Sequence, residues 1–237
     1  MLTEPLIDRL VKSATAQGAT ILTGDHGRVT ALADGRARTA DGAEHEADEI
    51  VCCAGRWTPG LTAQASPASP IPLVAWDTLG ATAPGLVVRV GPVTAQAPAR
   101  LIHTPRLALR PHSGGLLQLE APDAAVDLHT PDPELRRWAS ELLKRARRTV
   151  RGLDHATVVD YQVCVRPMPA DEQSIVGRLP GAEHVYVAVT HSGVTLAAHL
   201  SRLIAAELAT GHQAAELAPY RPARFAGPAA RKGGARS

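Results

Sequence analysis

Val163-Cys164-Val165-Arg166-Pro167-Met168-Pro169-Ala170-Asp171 is followed by Ile175-Val176-Gly177 and by Tyr186-Val187-Ala188-Val189-Thr190-His191-Ser192-Gly193-Val194-Thr195-Leu196. The pattern predicts a strand that ends at an arginine, a proline-rich turn, a second apolar strand, and a glycine at the start of a helix. This arrangement brings a fixed cation and a helix N-terminus together, and both favour an anionic ligand.

Composition indicates a folded chain with an unusual core. The 237 residues are 45% apolar, which is enough for one large domain or two small interleaved ones. Aromatic residues make up only 3%, and Phe225 is the sole phenylalanine. Alanine, valine and leucine must therefore fill the core, which favours close packing of helices on sheets.

Charge and motif spacing exclude several functions. The net charge is only +2, from 25 basic and 23 acidic residues, so nucleic acid is not an expected partner. The basic run Lys144–Arg148 fits a solvated helix end better than a phosphate-binding patch. The ten histidines show no zinc-ligand spacing and no G-x-S-x-G motif occurs, so neither a metal site nor a hydrolase is expected.

The cysteines and the N-terminus bear on location. Cys52, Cys53 and Cys164 have no C-x-x-C spacing, and the adjacent pair falls on a strand expected to be buried, which indicates reduced thiols. Residues 1–9 lack the apolar run of a signal peptide, and no segment approaches the ~20 apolar residues of a membrane span. We therefore expect a cytoplasmic protein that does not enter membranes.

The first third of the chain predicts a helix, short strands and one buried strand. Thr3 is a candidate cap for a helix that ends at Gly18. Ile21-Leu22 is expected to be a short strand, and residues 28–47 an antiparallel meander with turns at Asp34-Gly35 and Asp41-Gly42. The apolar run Ile50–Ala54 is typical of a strand buried on both faces of a parallel sheet.

The rest of the chain predicts an antiparallel sheet, two longer helices and two strands. Residues 64–72 are expected to form a crossing loop, and several short strands between Leu73 and Leu128 an antiparallel sheet. The later predicted elements are a helix from Asp132, strands at 158–166 and 184–190, a helix at 194–210 and a disordered tail at 227–237.

The opening stretch, with its arginine-proline, aspartate, glycine and histidine-serine-glycine order, resembles the C-terminal signature of the D-amino-acid oxidase family of FAD-dependent oxidoreductases, which includes glycine and sarcosine oxidases. The helix, strand, hairpin and Val-Cys-Cys-Ala-Gly-Arg-Trp order of residues 1–57 resembles the same family. The resemblance implies an α/β (mixed α+β) fold, in which an incomplete FAD/NAD(P)-binding-type domain is interleaved with an antiparallel β-sheet substrate domain. It implies the following division: 1–63 remainder of the FAD-binding domain, 64–157 substrate domain, 158–226 return to the FAD-binding domain, 227–237 tail.

The dinucleotide motif G-x-G-x-x-G does not occur in this sequence. No two glycines are separated by a single residue, and Gly24 and Gly27 do not lie between a strand and a long helix. By the resemblance, the chain is the C-terminal portion of such an enzyme. We expect an unpaired strand edge beside Ile50–Ala54, with marginal stability, self-association, or a partner chain that supplies the absent segment.

Arg166 is the candidate substrate-binding residue. In the family the arginine of this motif pairs with the substrate carboxylate, and a guanidinium matches a carboxylate through two hydrogen bonds. The alternative is a structural ion pair with Asp171.

The candidate cofactor-binding residues occupy four places. By resemblance, His191, Ser192, Gly193, Val194 and Thr195 lie beside the flavin pyrimidine edge, where a helix N-terminus stabilises negative charge; the alternative is that Ser192 only caps the helix.

Ala54, Gly55 and Trp57 resemble a turn near the FAD pyrophosphate and flavin, although a plain turn with a core tryptophan is the alternative. Val29 resembles the residue whose backbone contacts adenine, or else is a hydrophobic hairpin residue, and Gly177 completes the set.

The leading hypothesis is an FAD-dependent oxidoreductase that transfers hydride from an amine or amino acid to the flavin. No side chain is assigned as a catalytic acid or base. The alternatives are a non-catalytic accessory subunit or degenerate remnant of such an enzyme, and, last, an unrelated α/β binding domain. The scarcity of lysines, one of which some oxidases of this family use to activate oxygen, leaves oxidase and dehydrogenase chemistry open.

Overall fold

The computed structural model describes residues 3–33 and 35–226. Its helices are α1 (Thr3–Ala16), α2 (Thr58–Thr62), α3 (Asp132–Thr149) and α4 (Gly193–Thr210). Its strands are β1 (Val29–Ala33), β2 (Arg36–Thr39), β3 (Glu44–Glu46), β4 (Ile50–Cys52), β5 (Pro84–Gly91), β6 (Ile102–Thr104), β7 (Leu107–His112), β8 (Leu116–Glu120), β9 (Thr157–Val165), β10 (Ile175–Leu179) and β11 (Ala182–Val189). The mixed α/β fold class predicted from the sequence is confirmed.

The chain folds into two compact units. The five-stranded unit comprises residues 3–19 and 75–166, and the mixed-sheet unit comprises residues 20–74 and 167–226. The boundaries between the units fall at 19/20, 74/75 and 166/167, whereas the predicted ones are at 63/64 and 157/158. The last boundary differs because β9 pairs along its length with β5 and therefore belongs to the antiparallel sheet.

The five-stranded unit contains one antiparallel sheet in the order β6-β7-β8-β5-β9. Side chains alternate between the two faces of each strand, so one face is apolar and the other polar. The apolar face packs against α3, whose Ala139, Leu142 and Ala146 are buried. This packing leaves the polar face open on the opposite side.

The mixed-sheet unit contains a three-stranded sheet in the order β10-β11-β4. The strands β10 and β11 are antiparallel and largely buried, whereas β4 pairs with β11 in parallel. The prediction that Ile50–Ala54 is buried on both faces is wrong, because β4 is the last strand in this order and Val51 is 41% exposed. Within the described residues the outer edge of β4 carries no strand.

A second small sheet in the same unit is the predicted meander, in the order β1-β2-β3. Its second turn closes at Asp41, whose carboxylate accepts hydrogen bonds from Thr39 and from the backbone of Ala43. The first predicted turn contains Asp34, which lies outside the described residues, as does the tail from residue 227.

The predicted strand at Ile21-Leu22 does not form. The chain instead turns back through a 3₁₀ turn at Gly24–His26, so that a Cβ at Gly27 would overlap the carbonyl oxygen of Leu22. Both predicted strand residues remain nearly half exposed because no neighbouring strand pairs with them. Helix α1 has its last helical residue at Ala16, and Gly18, with a left-handed φ of 93°, ends it as predicted.

The end of α4 is tied to the C-terminal segment by a buried polar cluster. The phenol of Tyr186 donates a hydrogen bond of 2.5 Å to Glu207, and the guanidinium of Arg221 donates two to the same carboxylate. The backbone of Ala214 donates another after the helix ends at Gly211, which has a left-handed φ of 72°. These bonds satisfy a carboxylate that is only 6% exposed.

None of the described helices is both long and apolar enough to cross a membrane. The three cysteines form no disulfide. Cys52 is buried, as the sequence predicts, whereas Cys53, the first residue after β4, is exposed.

Candidate functional site

Four predicted cofactor residues line one cavity in the mixed-sheet unit. Val29, Ala54, Gly55 and Trp57 border a cavity of about 960 Å³. Its other lining residues are Gly27, Arg28, Thr30, Cys53, Gly60 and Leu61. The structure thus brings together residues from the meander and from the turn after β4.

The turn after β4 owes its shape to Gly55. This residue has a left-handed φ of 57°, which side chains with a Cβ rarely adopt, and it starts a 3₁₀ turn that continues into α2. The helix begins with Pro59 in its first turn, a position where the missing backbone N–H has no cost. At Gly55, which has no side chain, the turn therefore brings its backbone to the border of the cavity.

Trp57 is 59% exposed, so the alternative of a core tryptophan is wrong. The guanidinium of Arg56 lies 4.1 Å from the centroid of its ring. This cation–π contact holds an exposed indole at the border of the cavity, where its flat face suits a planar ligand.

Gly27 lines the same cavity, although the sequence motifs do not predict it as a cofactor residue. The overlap of a Cβ here with the Leu22 backbone means that only glycine fits. The pair Gly24 and Gly27 just before Val29 is the sequence signal for this close turn.

The N-terminus of α4 carries the second group of predicted cofactor residues. Ser192 occupies the N-cap position but does not cap the helix with its side chain; its hydroxyl lies 2.9 Å from Nδ1 of His191. The alternative that Ser192 only caps the helix is therefore wrong. The first backbone N–H groups of a helix have no intrahelical partners, and Gly193, Val194 and Thr195 are exposed. This end can bind an anion or stabilise developing negative charge.

Gly177 does not join these residues in the cavity. It lies in β10 opposite Val187, with a φ of 146°, and a Cβ there would lie 3.0 Å from the Arg221 side chain and 3.1 Å from Pro222. In this structure the glycine makes room for the C-terminal segment.

Arg166 lies in the five-stranded unit at the end of β9. Together with polar residues of the open sheet face it lines a cavity of about 560 Å³. Its Nη2 lies 2.9 Å from where a Cβ of Gly85 would be, so the guanidinium extends over β5 at a position without a side chain. Within its own unit, no hydrogen bond or ion pair of the described residues engages this guanidinium.

Asp171, the alternative partner of Arg166, is already paired. It accepts hydrogen bonds of 2.7 and 3.0 Å from Arg224, and these bonds lower the pKa of its carboxyl group. The structural ion pair considered for Arg166 is therefore replaced by one between Asp171 and Arg224. The guanidinium of Arg166, which has no partner among the described residues of its unit, can bind a carboxylate.

A family model described as "FAD dependent oxidoreductase" matches residues 3–207. The chain belongs to this family. The recognition made from the opening sequence stretch is thereby confirmed, and FAD is the cofactor of the family. A comparison with curated proteins gave no significant match.

Solved structures show the same fold. The iminodiacetate oxidase of Chelativorans sp. BNC1 is 22% identical, with a TM-score of 0.67, and the alignment covers 92% of this chain and 57% of that one. The L-amino acid deaminase of Proteus vulgaris is 17% identical, with a TM-score of 0.67 and coverage of 91% and 53%. The glycine oxidase of Bacillus cereus is 20% identical, with a TM-score of 0.58 and coverage of 78% and 48%. The chain thus spans about half the length of these structures.

The mixed-sheet unit has features that fit part of an FAD molecule. The cavity is at the upper end of the ~300–1,000 Å³ typical of ligand sites. Three of its lining residues are glycines, which allow a ligand close to the backbone, and Trp57 offers an exposed ring. The phosphate-cradling G-x-G-x-x-G turn is the part of a dinucleotide site that this sequence does not contain.

Proposed function

We propose that this chain forms the substrate-binding and C-terminal part of an FAD-dependent oxidoreductase that oxidises an amine or amino acid. The observation that carries the proposal is the guanidinium of Arg166, which lies over Gly85 in a cavity on the polar sheet face and pairs with no described residue of its unit. A free guanidinium at this position suits a substrate carboxylate. The names of the solved relatives, which include oxidases and a deaminase of amino acids, support the same substrate class.

In this proposal the chain's own residues bind and orient, and the flavin supplies the acceptor for the hydride of the substrate C–H bond. Arg166 holds the substrate carboxylate. Val29, Ala54, Gly55 and Trp57 border the cofactor. The uncapped N-terminus of α4 stabilises negative charge on the ring system.

The segment with the dinucleotide motif would precede this chain or belong to a partner. Two observations support this: the outer edge of β4 is open within the described residues, and the solved relatives are about twice as long. A second copy of the chain is the other candidate for covering that edge. The three cysteines without disulfides support a reducing compartment, and we place the protein in the cytoplasm.

The test supplies an N-terminal βαβ segment carrying G-x-G-x-x-G, fused or co-expressed. The product is expected to be yellow, and its flavin absorbance is expected to bleach without oxygen when glycine, sarcosine, D-amino acids or iminodiacetate are added. A matched control replaces the three motif glycines with alanine. If flavin binds but none of these compounds bleaches it, the proposal that the chain is part of an amine or amino-acid oxidoreductase is refuted.

A non-catalytic accessory subunit or remnant is the second candidate, favoured by the absence of the motif from these 237 residues. The coding DNA upstream of Met1 separates the two. An in-frame or neighbouring segment with the motif supports the enzyme, and a stretch interrupted by stop codons supports the remnant.

A further inference from the structure

The open face of the five-stranded sheet carries a line of charged groups that the proposed function does not use in full. Its members are the guanidinium of Arg166, which lies over Gly85 of β5, then Glu120 of β8 and Arg110 of β7. Gly85 and these three residues line the same cavity. Gly85, Glu120 and Arg110 also share one face of the sheet, because the strand register places them at alternate positions.

The strand register places these residues on a straight diagonal. Val87 of β5 is opposite Glu120 of β8, so the step from Gly85 to Glu120 crosses to the neighbouring strand and moves two residues along it. Arg110 of β7 is opposite Gln118 of β8, so the step from Glu120 to Arg110 also crosses one strand and moves two residues in the same direction. With strands ~4.8 Å apart and a rise of ~3.4 Å per residue, each step is about 8 Å. The order along the diagonal is cation, carboxylate, cation.

The hydrogen bonds of these groups leave them able to bind a ligand. Glu120 accepts one bond, of 2.8 Å, from Gln118. Within the described part of the unit, no hydrogen bond or ion pair engages the guanidinium of Arg110 or that of Arg166. The nearby Arg89 differs, since Asp160 pairs with it at 2.7 Å.

The other charged or titratable side chains of the cavity leave this order intact. Glu4 accepts a hydrogen bond of 2.6 Å from Ser113, which occupies part of its carboxylate. His103 and His112 lie on the same side of the cavity as Arg110, on β6 and at the end of β7. Imidazoles there add hydrogen-bond donors for an anion at Arg110.

We propose that the substrate is an amine flanked by two carboxylates. Arg166 binds one carboxylate, Glu120 binds the ammonium group, and Arg110 binds the second carboxylate. The order of charges in such a molecule, carboxylate, ammonium, carboxylate, is complementary to the order along the diagonal, and its contacts are charge-assisted hydrogen bonds. This proposal rests on the proposed function, because it names the substrate class of the same site.

The test measures equilibrium binding to the purified chain by isothermal titration calorimetry, without flavin. The probes are iminodiacetate, an amine with two carboxylates; sarcosine, an amine with one; and glutarate, two carboxylates without an amine. We expect iminodiacetate to bind about tenfold or more tightly than either of the others, because each lacks one charged contact. If circular dichroism shows that the isolated chain is unfolded, the same titrations are made on the fusion described above.

Variants assign the contacts to residues. Arg110→Gln is expected to bring iminodiacetate to the affinity of sarcosine and to leave sarcosine unchanged, and Arg110→Lys is expected to restore part of the difference. Glu120→Gln is expected to bring iminodiacetate to the affinity of glutarate. The control is Arg137→Gln, which removes an exposed guanidinium from α3 and is expected to change none of the three affinities.

The outcomes separate this inference from the proposed function. Three results would overturn the inference. They are equal affinities for iminodiacetate and sarcosine, an equal loss of affinity for both compounds in Arg110→Gln, and no binding of any probe. Flavin reduction by monocarboxylate amino acids alone would also overturn it while upholding the proposed function. Selective binding of iminodiacetate without flavin reduction in the fusion would uphold the inference about the ligand and refute the enzyme.

Discussion

Asp171 and Arg224 form a two-bond ion pair, with Nε and Nη2 of the arginine donating at 2.7 and 3.0 Å to the two carboxylate oxygens. Arg224 also donates to the carbonyl oxygen of Gln173, so it fastens the turn between β9 and β10 to the C-terminal segment. The pair explains why an aspartate follows the arginine-proline motif. Its role is structural, and it leaves Arg166 available for a ligand.

Arg166→Ala is expected to weaken the binding of carboxylate-bearing substrates selectively in the flavin-loaded fusion. Loss of a charge-assisted contact from an exposed guanidinium lowers the affinity by roughly ten- to a hundredfold. FAD content is expected to stay unchanged, and Arg166→Lys to recover only part because an ammonium group lacks the planar fork. The measurement is the substrate dependence of flavin reduction. Equal losses for an amine without a carboxylate would make Arg166 a structural residue.

Gly85→Ala is expected to give a smaller loss of the same kind. The new Cβ would lie 2.9 Å from Nη2 of Arg166, and the flexible guanidinium is what must move. The fold is therefore expected to stay intact by circular dichroism while carboxylate affinity falls. The double variant Gly85→Ala/Arg166→Ala is the control: it should bind no more weakly than Arg166→Ala alone. Additive losses would mean that Gly85 acts independently of the arginine.

The sequence predicts elements well where neighbouring residues decide the structure. The helix that ends at Gly211 and the antiparallel strands from β5 to β8 follow from local periodicity and turn residues. The prediction of a strand at Ile21-Leu22 was wrong because a strand needs a partner, and the chain turns back at Gly27 instead. The diagonal from Gly85 to Arg110 depends on strand register, which no local pattern specifies.

The isolated chain is expected to bind FAD weakly or not at all. The described residues offer a cavity and a helix N-terminus, but the sequence lacks the glycine turn that binds the phosphates. The visible spectrum after gel filtration measures this directly. A yellow protein that retains one FAD per chain would show that another group of residues binds the phosphates.

Val51→Lys is expected to reduce self-association of the isolated chain. Val51 is 41% exposed in β4, whose outer edge is open within the described residues, and a lysine there opposes edge-to-edge pairing. Sedimentation velocity measures the monomer fraction. Val159→Lys is the control, since Val159 is 53% exposed in β9, the last strand of the other sheet. An equal effect of both variants would point to general charge repulsion.

Glu207→Gln is expected to destabilise the protein and to reduce its sensitivity to acid. Burial opposes ionisation of Glu207, but hydrogen bonds from Arg221 and Tyr186 outweigh it and lower the pKa of this carboxyl group below its usual 4.5. Burial and the same carboxylate raise the pKa of Tyr186 to about 12, so the phenol remains a donor. Removing one charge of a buried pair costs about 3 kcal/mol, because Arg221 is left without its partner.

The sign of the acid effect follows from the lowered pKa. The folded state binds this proton less readily than the unfolded chain, so the stabilisation is present above pH 4.5 and is lost as the pH falls through the folded pKa. Urea unfolding of the wild type and of Glu207→Gln between pH 3 and pH 7 therefore gives curves that approach each other in acid. Glu216→Gln, on an exposed side chain nearby in the chain, is the control and is expected to follow the wild type. Parallel curves for Glu207→Gln and the wild type would mean that Glu207 is not ionised in the folded protein.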